Sequence, residues 1–313
     1  MRINESLVKK TLKEFFPKKF LLETSSGTSS LIISLEILKN KFNNSRNEVI
    51  LPSVCCPSVL SAVSMAKLKP IFVDMEFKRF NMSLEDIKKK INKNTLTVIC
   101  VHSFGIAADV ISIKRILKKK KIPLIEDACL IFGGKYENKE YFGNFGDFGI
   151  FSFGYEKIID VNSGGLLVIN DYNDFVEAKN FLRKNVFFSK KIFKNKLFKQ
   201  KLDNISKSIK SRKLNSLKFD QNLNSKNIIK PVINDNDVIW RYSLIVKNKK
   251  KLIQNAKKKN LIITEHYPSI NRFQSNSNLK NARIFNNGII NLFVKEGTSE
   301  NYINRICNLI NRI

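Results

Sequence analysis

Between residues 122 and 170 the sequence sets a carboxylate, a hydroxyl and an amine at the ends of apolar runs. Ile122 to Ile125 leads into Glu126 and Asp127, a second apolar run ends near Ser152, and Lys157 follows shortly before Gly164 and Gly165. In an open α/β sheet, ligands bind beyond the carboxyl ends of strands, so these groups are expected to converge on one site. The segment TSSGTSS, from Thr24 to Ser30, runs straight into a helical pattern. Small hydroxyl residues around Gly27 at a helix start have the form of a phosphate cradle, because backbone N–H groups and the helix dipole favour an anion there. The same residues also serve as ordinary helix caps, and this stretch alone leaves both readings open.

A lysine amine, a carboxylate and an anion site together are what pyridoxal phosphate chemistry requires. The amine condenses with the cofactor aldehyde, the carboxylate keeps the ring nitrogen protonated, and the anion site holds the phosphate. Lys157, Asp127 and the turn at Gly27, Thr28 and Ser29 supply the three, with Ser152 as a further hydroxyl for the phosphate. Each has a plainer reading in isolation: Lys157 is one lysine of many, and Asp127 is in the position of a strand-end cap. Their joint occurrence carries the argument.

The elements needed to position these groups are visible in the hydrophobic pattern. Residues 5–16 suit an amphipathic helix carrying Leu7, Leu12, Phe15 and Phe16. Strands are expected at 20–23, 48–51, 69–74, 97–101, 122–125 and 166–170, alternating with helices in the manner of parallel βαβ units. Residues 186–236 are rich in Lys, Asn and Ser with no clear strand, and read as an irregular or helical connector. Beyond it come the strand IWRYSLIV (239–246), a Lys-rich helix, a strand-like LIIT (261–264), HYPSI, IINLFV and a last helix, which suggest a small α+β domain. The predicted organisation is a large domain over 1–185, a connector over 186–236 and a small domain over 237–313.

Composition narrows the function classes. With 313 residues and 43% hydrophobic content the chain can bury a substantial core. No apolar run approaches the roughly 18 residues of a membrane span, and the N-terminal residues lack a signal-peptide core, so a cytoplasmic protein without membrane association is expected. Five cysteines without a CxxC pair and two histidines, His102 and His266, argue for buried free thiols and no metal site. The formal charge of +29 is spread along the chain rather than clustered, which reads mainly as solvated faces, and no nucleic-acid partner is expected.

The segments SSGTSSL (25–31), LPSVCCPSVLSAV (51–63), KPIFVDME (69–76), VHSFGIAADV (101–110), IEDACLIFGG (125–134), GDFGIFSFGYEK (146–157) and SGGLLVIND (163–171) resemble, in order and separation, the DegT/StrS family of pyridoxal-phosphate-dependent sugar aminotransferases. The resemblance covers residues 20–171, with a weaker echo at HYPSI (266–270) and in the last helix. It implies an α/β fold type I architecture, in which a large domain with a mostly parallel central sheet precedes a small C-terminal α+β domain. It also implies a homodimer with shared active sites, glutamate as amino donor, and a nucleotide-linked keto-sugar as acceptor in surface polysaccharide biosynthesis.

By the same resemblance Lys157 matches the Schiff-base lysine, Asp127 the partner of the ring nitrogen, and Thr28, Ser29 and Ser152 the phosphate ligands. A related branch that dehydrates its substrate has histidine in place of the lysine, so Lys157 points to transamination. The chain departs from the pattern at Val54, Cys55 and Cys56, where an aromatic residue commonly stacks on the ring, and at Leu130, where Gln or His is common. The Asn-and-Arg motif that reaches the partner subunit is not recognisable in 186–236. His102, His266, Tyr267 and Trp240 are candidates to line the substrate pocket, with a core or capping role equally open. The competing function is a catalytically impaired relative that binds or regulates, using its basic surface on a polyanion.

Overall fold

The apolar runs around Ile50, Val98, Ile125 and Ile150 are near-continuous because their strands are covered on both faces. The computed structural model describes residues 5–137, 139–270 and 279–313; residues 1–4 and 138 of the first predicted unit and 271–278 of the third lie outside the described residues. A seven-stranded sheet forms from β1 (Phe20–Thr24), β2 (Glu48–Pro52), β3 (Lys69–Val73), β4 (Thr95–Val101), β5 (Leu124–Asp127), β8 (Phe148–Ser152) and β9 (Gly165–Ile169), in the order β1-β9-β8-β5-β4-β2-β3. Strands β3, β2, β4, β5 and β8 pair in parallel, and β9 is antiparallel to both β8 and β1, so it alone runs against the others. The expectation of a mostly parallel sheet is borne out. A two-stranded hairpin of β6 (Lys135–Tyr136) and β7 (Glu140–Tyr141) lies between β5 and β8 in sequence.

Around this sheet stand α1 (Glu5–Phe15), α2 (Gly27–Lys41), α3 (Pro57–Met65), α4 (Leu84–Lys90), α5 (Val110–Lys119) and α6 (Tyr172–Lys184). The first helix differs in detail from its predicted face: Val8, Leu12, Phe15 and Phe16 are buried, while Leu7 is 49% exposed. Helix starts follow their caps, with Ser26, Ser83, Asp109 and Asp171 each accepting a first-turn amide.

The stretch predicted as an irregular or helical connector contains α7 (Lys196–Asp203) and α8 (Ile205–Asn222). Its beginning packs into the large core through Phe188, Ile192, Phe193, Phe198 and Leu202, and its end joins a second core through Phe219 and Leu223. It also contains a strand that the sequence did not suggest, β10 (Ile228–Ile229), which pairs with β11 (Tyr242–Val246). Two residues are too few for an alternation pattern to show.

The small sheet is completed by β12 (Ile289–Leu292), with α9 (Lys249–Lys258), α10 (Lys280–Gly288) and α11 (Glu300–Ile310) around it. Strand β11 begins three residues later than the predicted IWRYSLIV strand, because the amides of Val238, Ile239 and Trp240 bond to the carbonyls of Gly105 and Phe104 and Ile239 adopts φ +54°. The strand-like LIIT contributes a single bridge, Thr264 to Asn291. A buried ion pair fixes this junction. Arg79 grips Asp237 with both terminal nitrogens, at 2.5 and 2.9 Å, and Asp237 also accepts the amides of Ala107 and Asn234.

Strand β8 passes close to the loop after β7. A Cβ on Gly149 would lie 2.1 Å from the backbone oxygen of Gly143, which has no flexible end to give way. Gly149→Ala is therefore expected to lower stability by about 2 kcal/mol or more, as overpacking does. Urea denaturation should show a lower midpoint with an unchanged slope; an unchanged midpoint would contradict the close packing.

Candidate active site

Parallel strands point their carboxyl ends the same way, so one edge of the large sheet collects the residues that follow β1, β2, β4, β5 and β8. At this edge Cys55, Cys56, Val101, Ser103, Asp127, Cys129, Leu130, Lys157 and Tyr267 line one cavity. Asp127 and Lys157, 30 positions apart in the sequence, thus face the same space. The cavity measures about 20 Å³, room for one water-sized body. The hydroxyl of Ser103 is buried and has no hydrogen-bond partner among the described residues.

Consecutive residues of a strand face opposite sides, and Glu126 and Asp127 separate accordingly. Glu126 is fully buried and accepts the amides of Gly143, Phe145 and Gly146 at 2.7, 2.8 and 3.0 Å. It also meets His102 Nε2 at 3.1 Å, and His102 Nδ1 accepts the amide of Ala108 at 3.0 Å. With Nδ1 an acceptor, the ring proton sits on Nε2 and is donated to Glu126. His102 is therefore fixed in the interior and lines neither this cavity nor the cleft described below, so of the two roles its sequence left open it takes the core one and not the substrate pocket. Asp127, on the other face, accepts the amide of Cys129 at 3.1 Å.

The turn at residues 25–29 reaches the same edge. Gly27 is the first residue of α2, and a Cβ there would lie 3.0 Å from both Cys129 Sγ and Ser152 Cβ, so the absence of a side chain lets the helix start approach the ends of β5 and β8. Ser26 caps the amide of Ser29 at 3.1 Å, and the Ser29 hydroxyl bonds to those of Ser25 and Ser26. No acceptor among the described residues takes the amides of Gly27 and Thr28. The helix start therefore both caps itself and offers free donors beside Ser152.

Lys157 stands where the cavity meets a larger cleft of about 300 Å³, whose walls include Tyr155, Glu156, Arg212, Trp240 and Arg241. Burial opposes charge on the Lys157 amine, but the phenol of Tyr267, the thiols of Cys129 and Cys56 and the Asp127 carboxylate outweigh it and hold the amine above the usual lysine range. Burial likewise pushes the Cys129 thiol well up, with Asp127 adding to the effect. The residue before the lysine is held on three sides. Glu156 has φ +59°, its amide donates to Asp160 at 2.7 Å, its carbonyl accepts the Trp240 indole N–H at 2.6 Å, and its carboxylate pairs with Arg241.

Tyr267 forms the aromatic wall, stacked between Trp240 and Phe104 with centroids 5.7 and 6.1 Å away. His266 lines neither space directly; its Nδ1 meets Arg241 at 3.1 Å, and burial, followed by Arg241 and Lys157, depresses its pKa. Arg241, Arg212, Glu156 and Ser103 escaped the sequence reading. Glu156 had one available signal, its position directly before Lys157.

The sequence profile of the DegT/DnrJ/EryC1/StrS aminotransferase family matches residues 4–311. GDP-perosamine synthase of Escherichia coli O157:H7 is 35% identical over 153 residues, 49% of this chain and 41% of that protein. L-glutamine:2-deoxy-scyllo-inosose aminotransferase of Micromonospora echinospora is 29% identical over 158 residues, 50% of this chain and 37% of that protein. The matched stretch thus spans less than half the length of these curated relatives. Among solved structures, Helicobacter pylori PseC, an aminotransferase involved in the biosynthesis of pseudoaminic acid, superposes with a TM-score of 0.90 at 20% identity, covering 98% of this chain and 90% of that one. A DegT DnrJ EryC1 StrS aminotransferase from Brucella abortus gives 0.85 at 19% identity, covering 98% and 89%. Likeness at these identities establishes the fold. No helix among the described residues is long and apolar enough to cross a membrane.

The placement of His102 yields a test. His102→Ala removes a buried bond to a carboxylate and should lower stability by about 2 kcal/mol, leaving KM for any substrate unmoved. A raised KM at unchanged thermal stability would return His102 to the pocket.

Proposed function

Given that the chain belongs to the DegT/DnrJ/EryC1/StrS aminotransferase family, we propose that it is a pyridoxal-phosphate-dependent aminotransferase that moves an amino group from glutamate to a nucleotide-linked keto-sugar for surface polysaccharide or amino-sugar synthesis. The observation that carries this reading is the shared cavity of Asp127 and Lys157 beside the free amides of α2. The donor set fits the cofactor: an amine for its aldehyde, a carboxylate for its ring nitrogen, and a helix start with Ser152 for its phosphate. The unpartnered Ser103 hydroxyl supports the same fit. The cavity of about 20 Å³ is smaller than a pyridine ring, so admitting the cofactor would require its side-chain walls to move. The names of the relatives, a GDP-perosamine synthase among them, support a nucleotide-linked acceptor.

When bound, pyridoxal phosphate supplies a ring that withdraws electrons from the substrate carbon. Lys157 anchors it, and its Nζ takes the proton from the substrate carbon and returns one in the second half of the transfer, as general base and acid. Asp127 holds the proton on the ring nitrogen. Gly27, Thr28, Ser29 and Ser152 bind the phosphate, and Tyr267 supplies the aromatic wall absent from residues 52–58. A cytoplasmic homodimer with shared active sites belongs to this reading.

The purified protein should absorb in the visible and transfer amino groups from glutamate to a nucleotide-linked keto-sugar in a coupled assay. Lys157→Ala should lose the visible band and slow turnover by about 10²-fold or more, and Asp127→Asn should keep cofactor but slow turnover on the order of 10²-fold. A colourless protein that binds no added cofactor, or a Lys157→Ala variant with full activity, would contradict the proposal.

A further inference from the structure

Arg212, on α8, is 6% exposed and forms part of the wall of the 300 Å³ cleft that Lys157 also lines. The one hydrogen bond its guanidinium makes to the described residues runs from Nη1 to the carbonyl of Trp240, at 2.7 Å. Its Nε is buried without a partner, and no carboxylate among the described residues pairs with it. Burial alone draws its pKa down to about 10. Burying a cation is unfavourable unless an anion and hydrogen-bond acceptors compensate it, and here the compensation within the chain is one carbonyl.

The acids lining the same cleft cannot supply it. Glu156 is paired with Arg241, Glu296 lies 2.8 Å from Lys207, and the Asp160 carboxylate accepts the amides of Glu156 and Asn162. Two further cations of the cleft, Lys201 and Lys295, have no ion pair among the described residues; Lys295 lies over the Phe293 ring at 5.5 Å. All three acids are engaged, while Arg212, Lys201 and Lys295 have no ion pair among the described residues.

We propose that Arg212 forms the floor of an oxyanion-binding site in this cleft, with Lys201 and Lys295 at its rim, and that it takes a carboxylate or phosphate group of a ligand whose other end reaches Lys157. The planar guanidinium suits either oxyanion, since both accept paired N–H bonds. The assignment of that ligand as an aminotransferase substrate rests on the function proposed above; the site itself rests on the unmatched charge. A carboxylate would come from the amino donor, a phosphate from the nucleotide carrier of the acceptor.

Isothermal titration of the cofactor-loaded protein at low salt with glutarate and, separately, with inorganic pyrophosphate tests this. At least one probe should bind and raise the melting temperature, and Arg212→Met should weaken it by about tenfold or more, the usual effect of losing a charged hydrogen bond. Preference for glutarate assigns the site to the donor, and preference for pyrophosphate to the acceptor. Arg212→Met without anion should melt no lower than the parent. Should it fail to fold, the rim variant Lys201→Gln/Lys295→Gln carries the test, with a severalfold loss of affinity expected. Binding of neither probe, or equal binding by parent and variants, would overturn the proposal. Arg212-dependent binding in a protein that aminates no keto-sugar would sink the proposed function and leave the anion site standing.

Discussion

Two adjacent carboxylates at the end of β5 set the terms for the rest of the structure. Glu126 points to one side of the sheet, where three backbone amides and His102 surround it in the interior. Hydrogen bonds to a charged acceptor are worth about 1.5–3 kcal/mol each, so this cluster fastens the 143–146 loop and the residues after β4 to the central strand. Because the neighbouring residue faces the other way, Asp127 emerges at the cavity on a backbone that Glu126 has already immobilised. The position of the carboxylate that lines the cavity is thus set by its neighbour, which is bonded on the opposite face of the sheet.

The same economy of construction appears at Lys157. The lysine follows β8 on a turn, and a turn alone would hold it loosely. Glu156 is tied by its amide to Asp160, by its carbonyl to Trp240 and by its side chain to Arg241. Two of those ties come from the residues directly before β11, and Arg241 is itself packed between the rings of Trp240 and Phe293, 4.5 Å from each centroid. The segment that leads into the three-stranded sheet therefore helps to place the lysine as well as to wall the cleft beside it.

What was legible in the sequence was what is local. The apolar runs of the parallel strands are continuous because both faces are buried, so the strands and the groups at their ends, Asp127, Ser152 and Lys157, could be read directly. The Gly27 turn was legible as a helix start, because a glycine among hydroxyls before a helical pattern suits one, with capping and anion binding both open. Its approach to Cys129 and Ser152 explains the requirement, and that contact crosses more than 100 positions. Arg212 and Arg241 were not legible, because their significance lies in burial and in partners far along the chain, and they sit among many exposed basic residues. The departure of β11 from its predicted start has a similar origin: the apolar character of Ile239 and Trp240 suggested a strand, but their amides bond to the 104–105 turn.

Under the proposed function, one amine in a lysine-rich chain, that of Lys157, has to be the one that captures the cofactor. Reduction of the cofactor-loaded protein with borohydride, followed by proteolysis and mass spectrometry of the peptides, addresses this directly. A pyridoxyl label confined to the peptide carrying Lys157 is the predicted result; no label, or a label on a different lysine, would contradict it.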